Sequence, residues 1–168
     1  MSKRIGALTI ILTLAFPALA GARIVVNQSI AGVNLGESKQ QVRSHLGAPA
    51  AVGHSGGATQ WIYGARALLV GLSNGRVVEV YTKNPSQKTA SGIGVGSSQA
   101  AVKSRIKGVK CQHVKGFSGQ ECIVLTAHGA KEWTTDFHLG PNGHVQSVLV
   151  NIFNPAGPAL DRALRIRP

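Results

Sequence analysis

Ser55 stands in Gly53-His54-Ser55-Gly56-Gly57, a G-x-S-x-G match, and Asp136 and His144 follow it in the order acid then histidine. Those residue types could activate a serine nucleophile, provided that a strand ends at the serine and a helix begins there. Here the residues after Ser55 read as strand, and two glycines beside a serine are also ordinary turn chemistry. A small secreted hydrolase using Ser55 is therefore an alternative reading. Six acids are present in 168 residues. Glycosidase chemistry needs two carboxylates across one cleft, and Asp136 with Glu79 is the nearest pair. Glu79, Glu121 and Glu132 otherwise read as surface positions of strands or loops.

The histidines, His45, His54, His113, His128, His138 and His144, show no H-x-x-x-H spacing, so no metal is expected. His138 and His144 flank a turn and read as solvent-facing. Gly92-Ile93-Gly94-Val95-Gly96 lacks the third-glycine spacing and the ribose-binding acid of a dinucleotide loop. No cofactor and no catalytic residue are expected, and the chain reads as a non-enzyme.

What could carry binding is of two kinds. The aromatics Trp61, Tyr63, Tyr81 and Trp133 would be core residues or, where exposed, partner-binding hot spots. The chain carries 18 Lys and Arg against the six acids, a formal charge of +12. That balance favours anionic partners: nucleic acid, cell-wall polymers, acidic lipid headgroups or an acidic protein.

Residues 1–20 show Lys3 and Arg4, an apolar run and an A-x-A end, the pattern of a secretory signal peptide cleaved after residue 20 or 22. Its removal takes away two basic residues and no acid, leaving +10. No later apolar run reaches the 20 or so residues of a membrane span. Export places Cys111 and Cys122, the two cysteines of the chain, where a disulfide forms. Secretion or residence in the periplasm or cell envelope follows.

These residues need a scaffold, and the chain writes one nearly twice. Gly32, Leu35, Gly36, Val42 and Leu46 recur as Gly92, Val95, Gly96, Val102 and Ile106 at an offset of 60, and Asn74-Gly75 recurs as Asn142-Gly143 at an offset of 68. Ser38 with Gln41 is a capping box, and Val42 and Leu46 share one helical face. Both Asn-Gly pairs predict type I′ hairpins, between strands at 67–72 and 76–82 and at 133–139 and 144–153. Further strands are predicted at 59–64 and 121–127. The expected fold is α+β: two tandem repeats, 27–88 and 89–153, each a short helix followed by about three antiparallel strands, with helices packed on one sheet face. A basic, proline-containing tail, 154–168, follows.

The run Gly32–Val52, "GVNLGESKQQVRSHLGAPAAV", followed by Trp61-Ile62-Tyr63-Gly64 and an Asn-Gly turn, resembles the small outer-membrane assembly lipoproteins of the BamE/OmlA type, without their lipidation cysteine. In its doubled form it is similar to the tandem-repeat β-lactamase inhibitor protein. The resemblance implies a non-catalytic exported protein that binds a protein partner or envelope component through its sheet or loops. Polyanion binding through the basic surface is the alternative.

Overall fold

The computed structural model describes residues 23–55, 57–113 and 119–153. The expected leader and tail lie outside them. Strands β1 (Ile24–Val25), β2 (Ser29–Ile30) and β3 (Val33–Asn34) form a small antiparallel sheet. Helix α1 (Lys39–Leu46) precedes β4 (Ala51–Ser55), β5 (Ala58–Tyr63), β6 (Leu68–Ser73) and β7 (Arg76–Thr82). Helix α2 (Gln99–Arg105) precedes β8 (Lys110–His113), β9 (Gln120–His128), β10 (Lys131–Leu139) and β11 (Val145–Phe153). Strands β4 to β11 make one eight-stranded antiparallel sheet in the order β4-β5-β6-β7-β11-β10-β9-β8.

This architecture corrects the expected α+β tandem repeats of helix plus three strands. The chain is mostly β, and its helices span only eight and seven residues. Three segments account for the difference. Ala51–Ser55 and Lys110–His113, short and without an apolar alternation, become strands by pairing in register with β5 and β9. Residues 24–34 pair among themselves. Finally, β7 pairs with β11, which merges the expected separate sheets into one.

One face of that sheet is the core. Val80 pairs with Val70 and Val150, and Val148 pairs with Phe137, which pairs with Cys122; all are buried. Ile24, Ile30 and Val33 of the small sheet, Val42 and Leu46 of α1, and Val102 and Ile106 pack into the same cluster. Burying each such side chain stabilises the fold by about 1.5–3 kcal/mol.

The helices are fixed at their starts. Ser38 Oγ accepts the Gln41 N–H at 3.3 Å while Gln41 Oε1 accepts the Ser38 N–H at 2.9 Å. Ser98 Oγ accepts the Ala101 N–H at 3.2 Å, and alanine at that third position has no side chain to reciprocate. Ahead of each cap a glycine takes positive φ and donates to a hairpin strand: Gly36 to Val77 O at 2.8 Å and Gly96 to Val145 O at 2.7 Å. The Gly92–Gly96 loop is thus a docking device between helix and hairpin.

The two Asn-Gly turns differ. Asn74 and Gly75 both take positive φ, as type I′ requires. In the other turn only Gly143 does, and its N–H donates to Gly140 O at 2.9 Å. Pro141 holds the first central position of that turn, which suits a type I turn closed by a left-handed glycine. The expected second type I′ turn is therefore corrected, and Pro141 is the reason.

Candidate functional site

Side chains alternate across each strand, so the register assigns every residue of the sheet to the core face or to the opposite one. The opposite face bears a row running across six strands: Ile62, Leu69, Tyr81, Leu149, Asp136 and Ile123. Beside it runs Gln60, Gly71, Glu79, Asn151, Thr134 and Leu125. On the other flank Ser147, His138 and Glu121 stand side by side, and Glu132 lies two residues before Thr134. Four of the chain's six acids, Glu79, Glu121, Glu132 and Asp136, therefore share one sheet face in a strongly basic protein.

The face is partly open. Ile62 is 38% and Leu125 51% exposed, while Leu69, Tyr81, Leu149 and Ile123 are half-buried. The acids between them are more enclosed: Asp136 is 8% and Glu121 6% exposed. Asn151 donates to Asp136 Oδ2 at 3.2 Å and accepts from Thr134 Oγ1 at 3.0 Å, whereas the buried Asp136 Oδ1 meets no donor. His138 Nδ1 lies 3.4 Å from Glu121 Oε1. The side chain of Glu79 lies across Gly71, where a Cβ would come within 3.1 Å of it.

Enclosure sets the protonation of this cluster. Burial, with a further push from Asp136, raises the Glu121 carboxyl to about 8. Burial raises Asp136 to about 7, and contacts with Thr134 and Asn151 only partly offset it. Burial also raises Glu79 and lowers His138. Near neutral pH Glu121 is therefore largely protonated and Asp136 is close to its midpoint, among apolar side chains; above pH 8 both become anionic.

The structure sorts the residues singled out in the sequence. Asp136 and Glu79 do share a face, with Asn151 between their strands. Tyr81 lies on that face, while Trp61 and Tyr63 are buried on the core side. Trp133 packs against the core and stacks on His128 with ring centroids 4.3 Å apart. Arg43 lies over the Trp61 ring at 5.2 Å. Ser55 is exposed at the end of β4, and the chain continues into β5 instead of a helix. β10, which carries Asp136, is five strands away, about 24 Å at the usual spacing. Cys111 and Cys122 form the expected disulfide, joining β8 to β9 at a directly opposed pair. Among the described residues no group of three or more His, Cys, Asp or Glu is placed to hold a metal ion.

Glu121 and His138 are expected in solvent from the sequence; in the fold Glu121 is buried and His138 half-buried. A signal was available: Glu132, Thr134, Asp136 and His138 recur at every second position of one strand, which puts four polar side chains on one face.

No family profile and no curated protein matches the chain. Among solved structures, an extracellular protein containing an SCP domain from Bacillus anthracis str. Ames is similar over the whole chain and 53% of its own length, at 12% identity and a TM-score of 0.52. A cysteine-rich secretory protein from Staphylococcus aureus subsp. aureus Mu50 is similar over 70% of this chain and 44% of its own, at 15% identity and a TM-score of 0.47. The uncharacterized protein YfeY from Escherichia coli is similar over 75% of this chain and 95% of its own, at 14% identity and a TM-score of 0.41. The chain thus spans about half the length of the first two. At these identities the B. anthracis likeness is one of fold. The Cys111–Cys122 disulfide fits an oxidising compartment outside the cytoplasm, and no described helix is long and apolar enough to cross a membrane.

Proposed function

We propose that the chain is an exported, non-catalytic binding module of the periplasm, cell envelope or medium, and that it engages a protein partner through the open face of its eight-stranded sheet. The observation that carries this reading is the partly exposed, mainly apolar row from Ile62 to Ile123, with the exposed Leu125 beside it and four acids on the same face. An apolar patch with a polar surround is the composition of a protein interface. The resemblance of Gly32–Val52 to the BamE/OmlA-type assembly lipoproteins is in keeping with such a role.

Replacing Ile62 and Leu125 together by aspartate tests the reading. Both are exposed, so the variant keeps its melting temperature within a few degrees. A partner captured from the native envelope or medium by the wild-type chain is lost with this variant and retained by one altered at Lys39 and Lys103, exposed on the helices of the core side. Equal capture by both variants would rule the sheet face out.

A further inference from the structure

On the other side of the sheet lies a groove of about 530 Å³ with a different character. Its walls are β1, the 89–91 turn and the end of α2. Asn27, in the turn after β1, donates its backbone N–H to Thr135 Oγ1 on the core face at 2.6 Å, which fixes this layer opposite the acids. Ile24 N–H donates to Lys88 O at 3.0 Å and closes the wall between β1 and the turn. The floor is apolar, Ile24 and Ile106, and Val25 stands at the rim 38% exposed. Around it are Arg23, Arg105 and Lys107, all exposed. None of these three meets a carboxylate among the described residues: the ion pairs there are His45–Glu37 and His138–Glu121. The Arg105 guanidinium instead donates to Ser91 O at 3.4 Å and so lies across the turn.

We propose that this groove is a docking site for the surface of an anionic phospholipid bilayer, with Arg23, Arg105 and Lys107 on the phosphates and Val25 at the depth of the first methylenes. Charge complementarity argues for that occupant. Three cations without acid partners surround an exposed apolar side chain, the arrangement that holds a peripheral protein at an interface. The wider charge of the chain draws it to the same surface, and segregating four acids onto the far face of the sheet removes the main repulsion. Each cation at such a surface contributes about fivefold to the partition coefficient.

The test is co-sedimentation of the chain beginning at Gly21 with vesicles of phosphatidylcholine containing about a third phosphatidylglycerol, at low and high salt. Binding is expected at low salt and is lost as salt screens it. Arg105→Gln with Lys107→Gln lowers the partition coefficient by about 25-fold, whereas Lys39→Gln with Lys83→Gln, the same charge removed away from the groove, lowers it less than fivefold. Val25→Ser, a smaller change at an exposed position, lowers it by a factor of two or more with all charges kept. Equal losses in the two double variants would show diffuse charge attraction and overturn the site. So would wild-type chain that stays in the supernatant, or a soluble glycerol-phosphate polymer that strips the bound protein at equal phosphate concentration, which would make a polymer the occupant.

Discussion

Asp136 and Glu121 hold protons at pH values where exposed carboxyls have lost them, and that has a sign in stability. A carboxyl whose folded pKa is raised contributes stability that is full below its unfolded value and is lost as pH rises through the folded value. For Asp136 the window runs from about 4 to about 7, and for Glu121 from about 4.5 to about 8. His138, lowered by burial, works the other way, its contribution falling below pH 6.5. With three raised carboxyls, Glu79 among them, against one imidazole, the melting temperature should fall as pH is raised from 5 to 8.5. Each unit of pKa difference corresponds to about 1.4 kcal/mol. Asp136→Asn and Glu121→Gln should therefore raise the melting temperature at pH 8 and flatten its pH dependence; an unchanged slope in calorimetry would show that neither group is buried as described. Close backbone contact gives a second residue-scale prediction. A Cβ on Gly94 would sit 2.2 Å from Gln87 O, so Gly94→Ala should cost more than about 2 kcal/mol. Gly53→Ala, which meets nothing within 4 Å, should cost less than about 1 kcal/mol in the same denaturant titration.

At the scale of elements, the clearest contrast is between the two helix starts. The Ser38 cap is reciprocal and the Ser98 cap is not. Ser38→Ala should cost about 1 kcal/mol, the usual value of a lost N-cap. The β8–β9 hairpin depends on its disulfide. Replacing both cysteines by serine removes a cross-link over an 11-residue separation, expected to cost roughly 3 kcal/mol in urea unfolding. Both features were legible in the sequence: Ser38 with Gln41 announces the box, and a pair of cysteines in an exported chain announces the bridge. The strands with apolar alternation, such as Arg76–Thr82, were legible too. What was not legible depends on partners distant in sequence or on backbone pairing alone. Ala51–Ser55 and Lys110–His113 lack a periodic signal and become strands only because a neighbour offers a free edge. Likewise the enclosure of Glu121 and His138 depends on a fold in which β8, β9 and β10 lie side by side.

At the scale of the whole molecule, acids and cations are sorted: four acids on one sheet face, and around the groove behind it three cations that meet no carboxylate among the described residues. An exported module that lies against an anionic surface through the groove would turn its acid-bearing face outward, toward a partner. The two surfaces should therefore be independent in the assays above. Ile62→Asp with Leu125→Asp should leave vesicle binding within twofold, and Arg105→Gln with Lys107→Gln should leave the captured protein partner unchanged. Loss of both properties in either variant would point to a single shared surface.

The β7–β11 pairing also governs how the molecule comes apart. It consists of four residue pairs, Glu79–Asn151 to Thr82–Val148, and among the described residues it is the strand-to-strand pairing that unites the two four-stranded ladders, each built otherwise from neighbours along the chain. The ladders can close locally and quickly, whereas this pairing joins positions about 70 apart and is the slow step to bring together. The two ladders are held together by this strip and by the one hydrophobic core they share. Val80→Ala with Val150→Ala, which thins both the strip and the shared core, should lower the midpoint of the single calorimetric transition and broaden it.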